Sequence, residues 1–429
     1  MLARSSLALL AVGSGLLIGP LSGTAQAAST GTCLPSPLGS AGQYAEFVAE
    51  SSRRVSDSEG AVAIGGDATL GDPERKEGFS VGSRLSGSDV SALPGGVSLV
   101  VGGELTANQV VPKRGKAVYQ KLIKAPGASF AIDGPHQAGP SPVDFAKEFS
   151  QLRSSSAAWG KLAATGTVRG EQPDTLTLKG DRRFNVFSIP AAELEKARHI
   201  KIKVPLGATA LVNVLGSSYD MHANATYGVS LWDHTAGRYV QDDYQAGSDA
   251  FKSARSKLLW NFPQATKVLK NYTSWPGTIL APNASVALGR AGQGGEVGPG
   301  HVNGSVIAKE MTSISGAETH HMSFRGCIPD PEKPEKPDPE KPDPSKPGTP
   351  APQTSGPETP GTPGPGKPGS EDGPGPEQSK QPSPSAAPVG NLASTGSDNM
   401  LLYTGLSGMM IAAGTLLAIR YAKRRGPSQ

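Results

Sequence analysis

Short runs of small and β-branched residues, each interrupted by glycine, recur along the middle of the chain. Three early runs are centred on Ile64, Val81 and Val100, at intervals of 17 and 19 residues, and the pattern returns at 277–288 and 302–308. Glycine permits tight corners, and small or β-branched side chains fill a narrow core, so a repeat near ~18 residues indicates the turns of a β-solenoid. We therefore predict a mainly β, glycine-rich, solenoid-like domain. A β-sandwich with glycine-rich hairpins is the alternative.

Three segments with helical features interrupt these strands. Residues 40–52 carry apolar side chains at positions i, i+3 and i+4, which is the stripe of an amphipathic helix. A second helix is expected to begin with Ser141 as its cap and Pro142 in its first turn. A third, shorter helix is expected within residues 190–198. We predict that these few helices flank the β core and cover its apolar side.

Residues 1–27 have the features of a secretory signal peptide. Arg4 precedes a short apolar run that glycine and proline interrupt, and Ala25-Gln26-Ala27 has the small-x-small pattern of a cleavage site. We predict export and cleavage after Ala27. The alternative, an N-terminal membrane anchor, fits less well because the apolar run is short.

Three segments follow one another in a fixed order within residues 391–429. They are the motif Leu392-Ala393-Ser394-Thr395-Gly396, an uncharged stretch at 399–419 that is long enough to cross a bilayer as a transmembrane helix, and a basic tail at 420–429. This order resembles the sorting signal of sortase substrates. In such proteins a membrane transpeptidase cleaves the Thr–Gly bond and joins the threonine carboxyl group to a cell-wall precursor.

On this chain, the resemblance implies cleavage between Thr395 and Gly396 and attachment to peptidoglycan. The membrane would hold the protein only before sorting. Ala393 stands where the common motif has proline, and the Leu-Ala-x-Thr-Gly variant resembles signals read by a distinct sortase class of high-GC actinobacteria. An ordinary tail-anchored protein is the alternative.

A proline-rich tract at 329–390 separates this signal from the middle of the chain. Proline removes backbone donors and fixes φ, so neither helix nor sheet is expected there. We predict a disordered, semi-rigid stalk rich in polyproline II conformation. The folded domain is accordingly predicted at residues 28–328.

Composition and charge narrow the class of protein. The formal net charge of +4 over 429 residues is small, and it argues against a nucleic-acid-binding protein. The two cysteines, Cys33 and Cys327, lie at the two edges of the predicted domain. In an exported protein such a pair predicts a disulfide that ties the start of the domain to its end. Two free buried thiols are the alternative.

The middle of the chain resembles the choice-of-anchor A family of adhesive domains from bacterial surface proteins. The segments that carry this resemblance are 38–48, 56–68, 99–103, 259–266, 275–284 and 303–309. The most specific are Trp260-Asn261-Phe262-Pro263 and the eight residues that begin at Trp275. The family is named for domains that are attached by various anchors, one of which is a sortase signal. The resemblance implies an adhesive function without a known catalytic centre or ligand.

No residue pattern identifies a catalytic or metal centre. Glu318, His320 and His321 invite a metal site, but adjacent strand residues point to opposite faces, so both histidines are not expected to hold one ion. Four acids lie in a glycine-containing region, namely Asp57, Glu59, Asp67 and Asp72. A calcium site there is an alternative, although their spacing matches no loop of known ligand geometry. We expect no metal, no cofactor and no catalytic residues.

These observations predict a cell-wall-anchored surface protein, either an adhesin or a structural module, and not an enzyme. Its expected partners are a Leu-Ala-x-Thr-Gly-reading sortase, peptidoglycan and a surface ligand whose identity the sequence does not give. Trp260, Phe262 and Trp275 are candidates to line a ligand groove. A secreted, wall-attached, glycan-active enzyme on a solenoid scaffold is the alternative. Ice binding would require a regular Thr-x-Thr ladder, which the sequence lacks.

Overall fold

Successive turns of the chain lie side by side as parallel strands. The computed structural model describes residues 33–172, 174–289, 300–313 and 316–329. The predicted signal peptide, the sorting signal with its transmembrane stretch and all but the first residue of the predicted stalk lie outside these described residues. Among the described helices, none is long and apolar enough to cross a membrane.

The elements are numbered in chain order. The strands are β1 (Glu46–Val48), β2 (Ser52–Arg54), β3 (Ser56–Ser58), β4 (Val62–Ile64), β5 (Ala68–Leu70), β6 (Phe79–Val81), β7 (Val97–Ala107), β8 (Val110–Pro112), β9 (Lys116–Lys124), β10 (His136–Ala138), β11 (Thr167–Gln172), β12 (Thr175–Lys179), β13 (Phe184–Pro190), β14 (His199–Lys203), β15 (Thr209–Leu215), β16 (Ser218–Asp220), β17 (Gly228–Asp233), β18 (Arg238–Gln241), β19 (Leu258–Asn261), β20 (Lys267–Leu269), β21 (Trp275–Pro276), β22 (Thr278–Ala287), β23 (Val302–Asn303), β24 (Val306–Ser313) and β25 (Thr319–His320). The helices are α1 (Gly87–Ala92), α2 (Phe145–Trp159), α3 (Ala191–Glu195) and α4 (Asp249–Arg255), with 3-10 helices at Gly39–Gln43 and Pro94–Gly96.

These strands form three sheets. The large sheet has 14 strands, a side sheet has five strands in the order β11-β12-β14-β17-β18, and a third sheet has six in the order β21-β23-β25-β3-β6-β8. Among the described strands, β11–β12 and β17–β18 pair antiparallel, and the other ladders are parallel. A β-sandwich is built from antiparallel hairpins, so the mainly β, solenoid-like prediction is confirmed.

The chain begins in the middle of the large sheet and returns to it. From β1 the turns advance through β4 and β7 to β9. After α2 the chain continues at the other end of the sheet, and the turns come back through β13, β15, β19 and β22 to β24. The last of these strands, β24, then pairs with β1. The domain therefore consists of two halves that meet at the β1–β24 seam.

The spacing of the turns was predicted correctly only in part. Ile64 lies between Val48 and Val101 in the large sheet, whereas Val81 pairs with Ser58 in the six-stranded sheet. The alignment of Ile64 with Val81 is therefore wrong, because Val81 belongs to another face of the same turn. Small apolar runs recur on every face of a solenoid turn, so the sequence does not show which runs are neighbours.

The first predicted helix is also wrong. The chain at 40–52 forms the end of a 3-10 helix followed by β1 and the start of β2. Phe47 and Val48 point to opposite faces of β1, and each enters a different core cluster. Tyr44 is fully buried as well. A strand that is covered on both faces has no polar side, so its apolar residues imitate the stripe of a helix.

Helix α2 runs across the junction of the two halves. It begins one turn later than predicted, because Asp144 rather than Ser141 is the cap and accepts the N–H of Lys147. Phe149 and Trp159 are fully buried against the large sheet. The predicted third helix is α3, whereas α1 and α4 were not predicted.

A disulfide joins the two ends of the described domain. Cys33 and Cys327 are 294 residues apart in sequence, and their Cα atoms lie 4.9 Å apart. In the chain-entropy model, closing a loop of this length stabilises the folded state by on the order of 5 kcal/mol. The bond thus reinforces the β1–β24 seam from outside the sheet.

Glycine pairs stack where successive turns bend between the two stretches of the large sheet. A Cβ on Gly102 would lie 2.3 Å from the carbonyl oxygen of Gly65, and one on Gly65 would lie 2.3 Å from that of Ala49. These glycines are needed for the close approach of neighbouring backbones.

We expect Gly102→Ala to lower the free energy of unfolding by about 1–3 kcal/mol, because the added methyl group forces the stacked bends apart. The matched control is Gly87→Ala at the start of α1, where a Cβ would meet nothing within 4 Å. Chemical denaturation measures both variants. Equal stabilities for the two variants would contradict the close-approach explanation.

Candidate functional site

A buried ion pair holds the seam together. The side chains of Glu46 in β1 and Arg54 in β2 are both 0% exposed, and Arg54 Nη2 lies 2.7 Å from Glu46 Oε1. Arg54 Nη1 also donates to the carbonyl oxygen of Ala317. Thr319 in β25 donates its hydroxyl to the same Glu46 carboxylate at 2.7 Å. One carboxylate therefore connects the first turn of the chain with the last described turn.

Polar side chains form a cluster on one face of the six-stranded sheet, and we call it the seam cluster. Thr319 pairs with Ser58, and Asn303 pairs with His320. The parallel register therefore places Asp57 beside Glu318 and Glu59 beside His320. The members of the seam cluster are Asp57, Glu59, His301, Asn303, Glu318 and His320.

His320 has a fixed orientation within this cluster. Its Nδ1 lies 2.5 Å from Asn303 Oδ1. The Asn303 amide nitrogen donates to Asp242 and to Ser274. Asp242 in turn forms a fully buried ion pair with Arg255 at 2.7 Å. These two hydrogen bonds fix the orientation of the Asn303 amide group, so its oxygen faces His320 and accepts a hydrogen bond from Nδ1. The other ring nitrogen of His320, Nε2, is directed at Glu318 Oε2, 3.4 Å away.

The electrostatics of the cluster follow from three neighbouring carboxylates. Burial, and then the charges of Glu318 and Glu59, raise the pKa of Asp57 to about 7. Asp57 Oδ1 is buried and has no hydrogen-bond partner among the described residues. The hydrogen bond with His320 lowers the pKa of Glu318, whereas burial lowers the pKa of His301. The cluster thus carries more acceptors than donors.

Tyr244 covers one side of the cluster. Its ring centroid lies 4.0 Å from that of His320, and its hydroxyl donates to Glu59 at 2.8 Å. The side chain of His321 leaves in another direction, towards Asp89 at 3.9 Å. The two adjacent histidines therefore do not converge, as expected for neighbouring strand residues.

A second polar surface lies on the outer face of the five-stranded side sheet, and we call it the cationic face. Ile200, Ile202 and Leu231 point into the core, so the alternate residues point outward. One outward row contains Thr167, Lys179, Lys203, Trp232 and Tyr239. The next contains Arg169, Thr177, Lys201, Ser230 and Gln241. Neither row contains an acidic residue.

Cations and aromatic rings are in contact on this face. Lys203 Nζ lies 3.2 Å from the centroid of the Trp232 ring, and Lys201 Nζ lies 5.6 Å from that of Tyr239. The two rings pack edge to face at 5.1 Å. Thr177 Oγ1 is buried here and has no hydrogen-bond partner among the described residues. Burial, and then the charge of Glu171, raise the pKa of Tyr239.

The aromatic residues that the sequence suggested for a ligand groove are elsewhere. Trp260, Phe262 and Trp275 are at most 1% exposed and belong to the core. The Trp260 ring packs against that of Trp275 at a tilt of 52°, with centroids 4.5 Å apart, and Trp260 donates its indole N–H to the carbonyl oxygen of Pro276. The groove prediction is therefore wrong, because these rings fill the interior of the returning turns.

The four acids considered for calcium do not share one site. Asp67 accepts the N–H of Glu104. Asp72 accepts the backbone N–H groups of Glu74 and Arg75 in its own turn. Only Asp57 and Glu59 belong to the seam cluster. Backbone donors already occupy the other two carboxylates, so the calcium interpretation has no support.

Sequence reasoning singled out Asp57, Glu59, Glu318 and His320 but assigned them to two separate candidate sites, and it missed His301, Asn303 and the whole cationic face. His301 and Glu318 are separated by 17 residues, as are Asn303 and His320, which is one turn in the closing part of the solenoid. A search for polar residues repeated at that spacing would have found them. The residues of the cationic face do not recur at a fixed spacing in the sequence, because the connections between their strands differ in length.

Comparisons with known proteins bear on the family and the fold of the chain. A family model described as "Putative Ice-binding-like adhesive domain" matches residues 37–321. No curated relative matches the chain. Among solved structures, an ice-binding protein from the Antarctic ascomycete Antarctomyces psychrotrophicus is similar with 11% identity over 67% of this chain and 97% of that chain, at a TM-score of 0.25. The ice-binding protein LeIBP from an Arctic yeast shows 11% identity, covers 70% and 97%, and has a TM-score of 0.26. An ice-binding protein from an Antarctic biological consortium shows 12% identity over 68% of this chain and 93% of that chain, at a TM-score of 0.24.

We expect Arg54→Met to lower the free energy of unfolding by about 3–5 kcal/mol, because it leaves the buried Glu46 carboxylate without its counter-ion. The double variant Glu46→Gln with Arg54→Met should recover part of that loss, since no uncompensated charge is then buried. Denaturant titration of a double-mutant cycle measures both.

The matched control is Lys196→Met, which removes one partner of an ion pair whose side chains are 69% and 56% exposed. Its stability should change by less than about 0.5 kcal/mol. A small effect of Arg54→Met, equal to that of the control, would show that the seam does not depend on the buried pair.

Proposed function

Because the chain belongs to the ice-binding-like adhesive domain family, we propose that it is an adhesin that is anchored to the cell wall and binds acidic polysaccharides through its cationic face. A domain of this family is an adhesive surface module. Three further parts of the proposal go beyond the family, namely the choice-of-anchor A type of domain, the covalent anchor and the chemistry of the ligand.

The anchor is supported by the order of segments in the sequence. A signal peptide at 1–27, a proline-rich stalk at 329–390 and a sorting signal at 391–429 would export the domain and hold it away from the wall. A Leu-Ala-x-Thr-Gly-reading sortase would cleave after Thr395 and transfer the new carboxyl group to peptidoglycan. The disulfide fits this route, because disulfides persist in oxidising, extracellular surroundings.

The cationic face is the observation that carries the choice of ligand. Four cations project from adjacent strands in two rows without an intervening acid, namely Arg169, Lys179, Lys201 and Lys203. Strands in a sheet are about 4.8 Å apart, so these charges form a regular array. A repeating polyanion can neutralise such an array residue by residue, and the charge attraction is long-ranged.

The aromatic pair adds a feature that a purely ionic surface lacks. Trp232 and Tyr239 continue the row of Lys179 and Lys203. Aromatic rings offer apolar area with a polar rim, which suits the apolar faces of sugar rings. Lysine charges beside these rings suit carboxylate or sulfate substituents. Together they favour an acidic polysaccharide over a neutral one.

Ice is a less suitable ligand for the described surfaces. On the large sheet one outward row reads Thr312, Arg53, Thr69 and Thr106. Arg53 interrupts the threonines and is 60% exposed, and the ion pair of Lys121 with Glu104 lies on the same sheet. Charged groups hold their own hydration water tightly, so this face does not present a regular hydroxyl and methyl array.

A glycan-active enzyme also gains little support. The Asp57 and Glu318 carboxylates are neighbours with pKa values moved in opposite directions, which is a property of acid–base pairs. The adjacent cavity is lined by Ser56, Phe79 and Gly316 among others, but by neither of these carboxylates. Because neither carboxyl group lines that cavity, adhesion remains the function that we propose.

For anchoring, we expect wall fragments released by muralytic digestion to yield a peptide that ends at Thr395 and is joined to cross-bridge residues. Peptide mass spectrometry measures this linkage. Thr395→Ala in the same cells is the control and should release the protein into the medium or leave it in the membrane. Recovery of wall-bound protein that still contains residues 396–429 would contradict covalent sorting.

For adhesion, we expect the purified chain to bind carboxylated and sulfated polysaccharides but not neutral dextran, with affinity falling as salt rises. Lys201→Glu with Lys203→Glu should weaken binding at least about tenfold, because two attractions become repulsions. Biolayer interferometry on immobilised polysaccharides measures the dissociation constants.

The matched control is Lys113→Glu with Lys124→Glu, which makes the same charge change on exposed lysines of the first half of the domain. It should retain most of the binding. Equal losses in the two double variants would mean that net charge rather than the cationic face determines affinity, and the ligand proposal would be wrong.

A further inference from the structure

We propose that His301, Glu318 and His320 form a binding site for one transition-metal dication of the zinc type. The three residues lie on one face of the six-stranded sheet, within the seam cluster. One donor atom from each lies within 4.8 Å of the donor atoms of the other two. This site is independent of the cationic face and of the anchor.

The distances match a tetrahedral ion. Glu318 Oε2 lies 3.4 Å from His320 Nε2 and 3.7 Å from His301 Nδ1. Two ligands about 2.1 Å from a tetrahedral zinc ion are themselves about 3.4 Å apart. The two histidine donor atoms lie within 4.8 Å of each other, so they must approach by up to about 1.4 Å for one tetrahedral ion to contact all three donors. His301 Nδ1 also accepts the N–H of Glu318 at 3.1 Å, and coordination would exchange that hydrogen bond for a metal–nitrogen bond.

The surrounding residues hold His320 as a ligand requires. Its Nδ1–H donates to Asn303, and the Asn303 amide group is held by Asp242. Histidine ligands of metals typically donate their second N–H to a neighbouring oxygen, which fixes the tautomer and the ring. The buried Asp242–Arg255 ion pair makes this support rigid. His320, at 4% exposure of its side chain, is thus held with Nε2 directed at Glu318. A bound ion would replace the Nε2 proton that hydrogen-bonds to Glu318.

The local charge also favours a dication. Glu318, Asp57 and Glu59 place three carboxyl groups on one sheet face. Arg84, whose side chain is 64% exposed, pairs with Glu59, and the buried Arg54 lies near Asp57. A zinc ion with three protein ligands keeps a fourth position for water. Such a water would offer a donor to the buried, unpartnered Oδ1 of Asp57. The ion and its water would therefore bring positive charge and a hydrogen-bond donor to the acceptors of the seam cluster.

The donor set decides between classes of metal. Two imidazole nitrogens and one carboxylate suit zinc and its transition-metal neighbours, whereas calcium and magnesium prefer all-oxygen sites. His301 precedes β23, and Glu318 and His320 lie at β25, which pairs with β3 of the first turn. A bound ion would thus connect the last described turn to the first beside the seam, and the stabilisation would grow with the logarithm of the free ion concentration above the dissociation constant.

The test uses the full-length chain, free of affinity tag and stripped with a chelator. Titration with Zn²⁺ alone in a calorimeter should show one ion per chain, and thermal unfolding should shift upward with added Zn²⁺. His301→Ala and Glu318→Gln, two partly exposed positions, should each weaken binding at least about tenfold. X-ray absorption of the loaded protein should show two nitrogen ligands of imidazole type.

Two controls separate this site from other binding. His321→Ala removes the adjacent histidine that faces Asp89, and its zinc affinity should equal that of the parent chain. Ca²⁺ should give neither heat nor a thermal shift. Far-UV circular dichroism verifies that each variant is folded. Absence of saturable Zn²⁺ binding would overturn the proposal, as would binding that His301→Ala and Glu318→Gln leave unchanged.

Discussion

The fold depends on how the first turn of the chain docks against the last described one. Glu46, Phe47 and Val48 pair with residues 306–308 that are far away in sequence. This seam has no turn or hairpin to enforce its register, so side-chain interactions across it must do so. The buried pair of Glu46 with Arg54, shared with Thr319, is specific in position and direction. A mispaired seam would leave the Glu46 carboxylate without the Thr319 hydroxyl and the Arg54 guanidinium without the Ala317 carbonyl oxygen. Each lost hydrogen bond to a buried charge costs about 1–3 kcal/mol.

The same constraint explains why polar chemistry gathers at the seam. Closing the sheet brings β25 beside β3, and polar residues of both lie on one face. Asp242 and Arg255, from outside the six-stranded sheet, then order Asn303 and His320. The hydrogen bonds from Asp242 through Asn303 to His320 are made without a gap, and a network of this kind is rigid. The seam cluster is therefore both a structural joint and a pre-ordered set of donor atoms.

The sequence predicted correctly those features that depend on residues close together in the chain. Short apolar runs with glycine indicated a solenoid because each turn is a local unit. The path of the chain was not local, because nothing in β1 shows that it pairs with β24 rather than starting at one end. Burial on both faces also removed the alternation that marks a strand, so residues 40–52 imitated a helix. Trp260 and Trp275 suggested a ligand groove because large aromatic rings occur both in binding grooves and in cores; in this domain they lie in the core.

The cationic face and the seam cluster lie on different sheets of the domain. Parallel turns bury most side chains of the large sheet on both faces, which leaves little room there for adhesive residues. The side sheet has an exposed outer face, so Lys201, Lys203 and Trp232 can project there without disturbing the core. Because the seam cluster lies on a different sheet, a change in the cationic face need not affect closure of the fold. Substitutions on the cationic face can therefore change its charge without disturbing the contacts of the seam.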